Sequence, residues 1–295
     1  MIKRSHVRQF LAVVDAGSFT QAAARIHLTQ PTLSAGIAEL ERLVGARLFV
    51  RERRQVRLTE EGGRFLALAR GLERDFRRLD EFGRASQSEW PDLRLGMLSS
   101  LAIPLFDAVL TALAADYRLE LIDGRDADLR GQLATGRIHA ALTLLREGEE
   151  GPACHGVLSE PYMMFVPASH PLAVRDVVEP EELASEIMIA RRSCEVLEAT
   201  SRFFTAKGVR PRFAYRSVDD TRCMALVAAG QGLTTAPLSH AIGGTVPIRV
   251  RGYAFNRRIG LLGDGGWLSQ PGMAARFQHM TMRIEEAIRT LPANP

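Results

Sequence analysis

At 295 residues, 46% hydrophobic and 24% charged, the chain is long enough for two or three domains with buried cores. No apolar run approaches the ~20 residues that cross a bilayer, and the N-terminus MIKRSHVRQF has no signal-peptide core. Three scattered cysteines form neither a disulfide framework nor a CxxC pair, so a cytoplasmic protein with no membrane partner is expected. The net charge of +4 is unevenly placed, because the first 60 residues alone carry +5. Lys3 and Lys207 are the only lysines, so arginine supplies nearly all the positive charge, and the asymmetry points to a polyanion partner for the N-terminal segment.

Val7, Phe10, Leu11 and Val14 fall at the spacing of one buried helical face, and Asp15-Ala16-Gly17 ends that helix. Ser18 then precedes Phe19, Thr20 and Gln21 in capping-box order, opening a second helix that stops around His27 and Leu28. Thr29 is the expected cap of a third helix with Pro31 in its first turn. Leu33, Ile37, Leu40 and Leu43 form its inner face, leaving Gln30, Thr32, Ser34 and Ala35 at the outer N-terminal end. Two short helices in this order follow helix-turn-helix logic, in which the second offers its N-terminal side chains to base edges in the major groove of double-stranded DNA. Leu48-Phe49-Val50 and Gln55-Val56-Arg57-Leu58 are expected to pair as a hairpin, with Arg51, Arg53 and Arg54 as a basic wing for phosphates. The DNA-binding candidates are therefore Ser18, Thr20, Gln30, Pro31, Thr32, Ser34, Arg51, Arg53 and Arg54.

From Thr59 to about Ser88 there is no proline, and Phe65, Leu68, Leu72, Phe76, Leu79 and Phe82 recur every three or four residues. Such a stripe on a long helix suits pairing with its twin in a homo-oligomer, and Trp90-Pro91 breaks the helix. Beyond it, strands at 93–98, 119–124, 139–145 and 162–167 alternate with helices at 105–115 and 128–136. A second series has strands at 187–190, 212–216 and 233–237 with helices near 195–206 and 219–229. Alternation predicts parallel sheets with crossover helices, here as two lobes with a cleft between them. The chain is expected to cross between lobes near Pro167 and near the strand at 253–262, with a final helix at 272–290.

Ligand groups are expected where helices follow strands at the cleft: Ser99 and Ser100 after the first strand, Thr143 and Arg146 at the third, and Arg192, Ser193 and Cys194 after IMIA. Helix N-termini offer free N–H donors, which favours a small organic anion as the inducer, although Ser99 and Ser193 also fit as plain N-caps. Cys194 beside two arginines suggests a thiol-based redox sensor as the alternative reading. Phosphate-loop, HExxH, CxxC and GxSxG motifs are absent, and Cys154-His155 in a polar, glycine-rich loop lacks the second ligand pair that a metal site would need. No enzyme activity, cofactor or metal is expected.

From Phe10 through Gly62 the sequence resembles the LysR-type transcriptional regulators. AGSFTQAA (16–23), LTQPTLS (28–34), LERLVGARLFVR (40–51) and LTEEG (58–62) stand in that family's order and spacing. SHPLA (169–173) and LVAAGQGLTTAP (226–237) match phrases of its effector domain. The resemblance implies an α/β chain with a winged helix-turn-helix at 1–58, a linker dimerisation helix at 59–90 and a two-lobed, periplasmic-binding-protein-like effector domain at 91–295. Lobe one would comprise about 91–166 and 268–295, and lobe two about 167–267. It further implies a bacterial regulator that binds an operator as a homodimer or homotetramer, answers to a small-molecule inducer and has RNA polymerase as a partner. Some members of the family sense peroxide through a cysteine near position 194. Two departures stand out: Ala35 and Gly36 follow Ser34 where a basic residue is frequent, and His139 stands where an aspartate is common.

Overall fold

The computed structural model describes residues 1–51, 56–81 and 91–291. Its N-terminal unit comprises α1 (Arg4–Ala16), α2 (Phe19–Arg25), α3 (Gln30–Val44), strands β1 (Phe49–Arg51) and β2 (Val56–Leu58), and the start of α4 (Glu60–Glu81). The periodic apolar positions converge as expected: Phe10, Leu11, Ala22, Leu33, Ile37 and Leu40 share one buried cluster. Thr29 caps α3 by accepting from the Thr32 amide, with Pro31 in the first turn. The expected capping box at Ser18 does not form. Ser18 has extended backbone at the N-cap of α2, but its hydroxyl makes no capping bond. Burial of Phe19, Ala22 and Ala23 holds this seven-residue helix instead. Strands β1 and β2 pair antiparallel with Val50 opposite Arg57, and the Glu41 carboxylate ties the hairpin to α3 by accepting from the amides of Leu48 and Phe49. Gly62 is required where α4 meets this hairpin, since a Cβ there would lie 2.1 Å from the Leu48 carbonyl oxygen.

The linker stripe divides. Phe65 sits edge-on to Phe10 at 4.9 Å, and Phe76 lies beneath the Arg4 guanidinium at 4.7 Å, so both pack on their own domain. Leu68, Leu72 and Leu79 are 72%, 42% and 68% exposed, leaving an apolar ridge uncovered along α4. Phe82 lies outside the described residues.

The remainder of the chain runs β3 (Asp92–Leu98), α5 (Ile103–Leu113), β4 (Arg118–Gly124), α6 (Asp126–Ala134), β5 (Ala140–Leu144) and β6 (Cys154–Pro167). It continues with β7 (Val177–Val178), β8 (Ile187–Arg191), α7 (Leu197–Ala206), β9 (Arg212–Ser217), α8 (Asp220–Ala228), β10 (Thr234–Pro237) and β11 (Thr245–Val250). It closes with β12 (Asn256–Gly263), α9 (Gly265–Leu268) and α10 (Met273–Arg289). Two separate parallel sheets were expected, and the structure corrects this. One path, β4-β3-β5-β12-β6-β11-β7, runs through both lobes, with β10 also on β6 and β8–β9 as a separate parallel pair. The join is antiparallel: β6 pairs with β12 up to Pro161 and with β10 from Tyr162. The segment read as a polar loop around Cys154 and His155 is thus the first part of a 14-residue strand. It was invisible because its first residues are only partly buried and show no apolar alternation.

His139 precedes β5 and stacks on Trp267, with ring centroids 5.4 Å apart, while its Nδ1 accepts from the Arg94 amide at 3.2 Å. Burial, reinforced by Arg94, lowers its pKa to about 4. A base whose pKa falls on folding takes up its proton preferentially in the unfolded chain, so stability is complete above the ordinary histidine pKa and declines as pH drops toward 4. We expect the melting temperature to fall between pH 6.5 and 4.5, and His139→Asn, whose amide oxygen can replace Nδ1, to flatten the slope. An identical slope in the variant would place the proton uptake at another group.

Candidate operator-reading surface and effector site

Helix α3 presents its N-terminal end to solvent. Gln30, Pro31 and Thr32 are exposed and Ser34 is half-buried, while Leu33, Ile37 and Leu40 face inward. Gln30 Nε2 donates to Ser34 Oγ at 3.1 Å, and the hydroxyls of Thr29 and Thr32 lie 2.8 Å apart. These four polar groups form one patch whose bonds can be exchanged for contacts to base edges. Thr20 is exposed on α2 and Ser18 half-buried before it. Ala35 is exposed beside the patch, and Gly36 lies against the Gln9 side chain of α1. Of the wing arginines, Arg51 ends β1, whereas Arg53 and Arg54 lie outside the described residues. Arg57, not singled out from the sequence, is exposed on β2 opposite Val50.

The predicted effector residues bond into separate networks. Neither Ser99 nor Ser100 caps a helix, because α5 begins at Ile103 behind Ala102. Nor does Ser193, since α7 begins at Leu197 behind Val196. Ser100 is buried, and its hydroxyl donates to the Glu195 carboxylate. Tyr162 Oη donates to the other oxygen of Glu195 at 2.6 Å, and Arg257 Nη1 donates to Oε1 at 3.0 Å. Arg257 Nε also donates to Glu160, which in turn accepts from the Ser239 amide and hydroxyl. This network joins the first strand's turn to β6, β12 and the approach to α7, with Arg257 buried between two carboxylates. Burial opposes the charge on Glu195, but Arg257, Ser100 and Tyr162 hold its carboxyl below the ordinary range. Burial, and the Glu195 charge after it, push the Tyr162 phenol well above its usual value.

Ser193 belongs to a second buried cluster. Its hydroxyl donates to Asp220 at 2.6 Å, and the same carboxylate accepts both Arg191 Nε, at 2.9 Å, and Nη2. Arg191 also donates to the Thr235 carbonyl, and His240 Nε2 lies 3.5 Å from Asp220. Burial alone would raise the Asp220 pKa, yet His240, Arg191 and Ser193 hold it well below the carboxylate range. Thr143 and Arg146 are committed elsewhere: both donate to Asp126 at the start of α6, which Arg130 also holds. Ser99 and Arg192 are exposed. Cys194 lines a cavity of about 240 Å3 between α7 and the β8–β9 pair. Sequence reasoning missed Glu160, Glu195, Asp220, His240 and Arg257. The available signal was a charged residue inside an apolar strand, as in SEPYMMFVP and NRRIGLL, since buried charges occur paired.

Residues 5–63 match the family described as "Bacterial regulatory helix-turn-helix protein, lysR family", and residues 86–279 match the "LysR substrate binding domain". The chain belongs to the LysR family of DNA-binding transcription regulators. Among its LysR relatives, the small neutral protease regulatory protein of Streptomyces lividans is 30% identical, over 88% of this chain and 77% of the relative. The transcriptional activator protein LysR of Escherichia coli is 29% identical, over 78% of this chain and 75% of the relative. Full-length OxyR from Pseudomonas aeruginosa, in a cysteine-substituted form, shares the fold with a TM-score of 0.54 at 20% identity, covering 100% of this chain and 97% of that one. Full-length BenM does so with a TM-score of 0.51 at 24% identity, covering 100% of both chains. The LysR winged helix-turn-helix and two-lobed effector domain thus account for the architecture. No helix of the described residues is long and apolar enough to cross a membrane.

Proposed function

We propose that this LysR-family regulator reads its operator through Gln30, Thr32 and Ser34 and changes its hold on DNA when its two lobes take up a small organic anion. The observation that carries the reading is the exposed polar patch at the N-terminal end of α3, set on a buried apolar face. Gln30 can donate and accept in one plane, which fits adenine N6 and N7, and Thr32 can meet a thymine methyl. Ser18, Thr20 and Pro31 flank the patch, and Arg51, Arg53, Arg54 and Arg57 supply phosphate contacts from the wing. The uncovered ridge of Leu68, Leu72 and Leu79 supports pairing of α4 with a second copy, which would bring two recognition helices onto two half-sites. RNA polymerase is the partner such a regulator would act on.

The test uses an operator selected from random duplexes by the protein itself. Gln30→Ala should cost about 1–3 kcal/mol on that operator while leaving binding to unrelated duplexes nearly intact. Equal losses on both would mean that Gln30 positions the helix on phosphate and that base readout lies elsewhere. A thiol switch at Cys194 has less support: burial pushes the Cys194 thiol up and outweighs Arg191, so the reactive thiolate is scarce. Cys223 is fully buried in a different core cluster.

A further inference from the structure

The anion expected between the lobes meets a site that is already filled. Ser100, Tyr162 and Arg257 all serve the Glu195 carboxylate, and Arg257 serves Glu160 as well, so the network holds two acids against one base. A free carboxylate arriving there would have to displace a tethered one. The cavity under α7 has the opposite character. Its apolar walls include Met164, Met188, Leu197, Phe204, Val209 and Phe213, and among the described residues no aspartate or glutamate lines it. Of its two arginines, Arg191 is locked onto Asp220, whereas Arg210 is exposed at the rim and forms no ion pair among the described residues. A cavity of ~150 Å3 with apolar walls takes up benzene. The space here is about 240 Å3, enough for a larger flat body. Phe203 and Phe204 of α7 pack on Tyr253, and Thr200 Oγ1 lies 2.7 Å from Tyr253 Oη, so the helix that roofs the cavity is tied to the rest of the lobe partly at Thr200 and Phe204, which also line it.

We infer that the cavity beneath α7, inside lobe two, is a binding site for an amphipathic monocarboxylate, with its apolar body among Met188, Leu197 and Phe204 and its carboxylate on Arg210. The inference rests on the reading that the lobes answer to an organic anion, and it adds a second anion site apart from the inter-lobe network. The exposed α7 residues Ser201 and Thr205 line the opening, so a large side chain at either position closes it from the solvent side without entering the core.

The experiment is calorimetric titration of the full-length protein with 2-naphthoate and with its neutral counterpart 2-naphthamide. The wild type should bind the acid about tenfold more tightly than the amide, and Arg210→Gln should erase that preference. Ser201→Trp, with Thr205→Trp as a second block, should abolish binding of both, and Ser100→Ala should leave both unchanged. Binding that survives both tryptophan variants and is lost in Ser100→Ala would place the acid between the lobes and overturn the inference. Absence of naphthoate binding to the wild type would overturn it too. Operator binding, followed in the same variants by gel shift, reports separately on whether the regulator reading stands.

Discussion

Replacing Ile37 with aspartate should remove the N-terminal domain from the folded state while the two lobes stay intact. Ile37 is fully buried, packed in one apolar cluster with Phe10, Leu33 and Leu40. An unpaired buried charge, together with the lost apolar contacts, costs several kcal/mol, a large fraction of the ~5–15 kcal/mol that holds a whole domain together. The lobes have cores of their own, one around Leu95, Leu142 and Phe277 and another around Tyr162, Met164 and Ile248, and neither shares residues with the Ile37 cluster. Calorimetry should therefore show the transition of the N-terminal domain lost and that of the lobes kept, with operator and non-specific DNA binding both abolished. A protein that melts as the wild type does would mean that α3 is not anchored through Ile37. The contrast with Gln30→Ala, where folding is untouched and only operator affinity falls, separates reading from folding.

The second large effect should come from Arg257→Met. The guanidinium is 2% exposed and lies between Glu160 and Glu195, themselves 5% and 14% exposed. Methionine fills similar space but leaves two buried carboxylates facing each other. Removing one partner of such a cluster costs about 3–5 kcal/mol, and one of the acids should then hold a proton near neutral pH. Urea unfolding should show the lobes weakened by that amount at pH 7.5, with part of it recovered at pH 5.5, where protonating a carboxyl is easier. Glu195→Gln should be far milder, because the amide oxygen still accepts from Ser100 or Tyr162 and Arg257 keeps Glu160. If Arg257→Met proved as mild as Glu195→Gln, the network would not be what couples the lobes.

Much of the architecture was legible because it rests on short-range rules. The periodicity of Val7, Phe10 and Leu11, the cap at Thr29 and the proline at 31 concern residues within one or two helical turns, and each produced the element expected of it. The same rules mislead where a local pattern has a competing tertiary partner. The order Ser18-x-x-Gln21 reads as a capping box, yet packing of Phe19 and Ala22 fixed the helix without it. The linker stripe reads as one face, yet Phe65 and Phe76 turn back onto α1.

The sequence by itself determined the winged helix-turn-helix, the long helix after it and the alternation of strands and helices, since these follow from hydrophobic period, caps and breakers. Only the tertiary structure decided what the charged side chains of the lobes do. Glu195 meets Ser100 across 95 residues and Arg257 meets Glu160 across 97. A buried ion pair forms wherever the fold brings opposite charges together and excludes water, and no local spacing encodes that meeting. The same holds for the cavity under α7, whose walls run from Met164 on β6 to Thr235 on β10 and are brought together only by the fold.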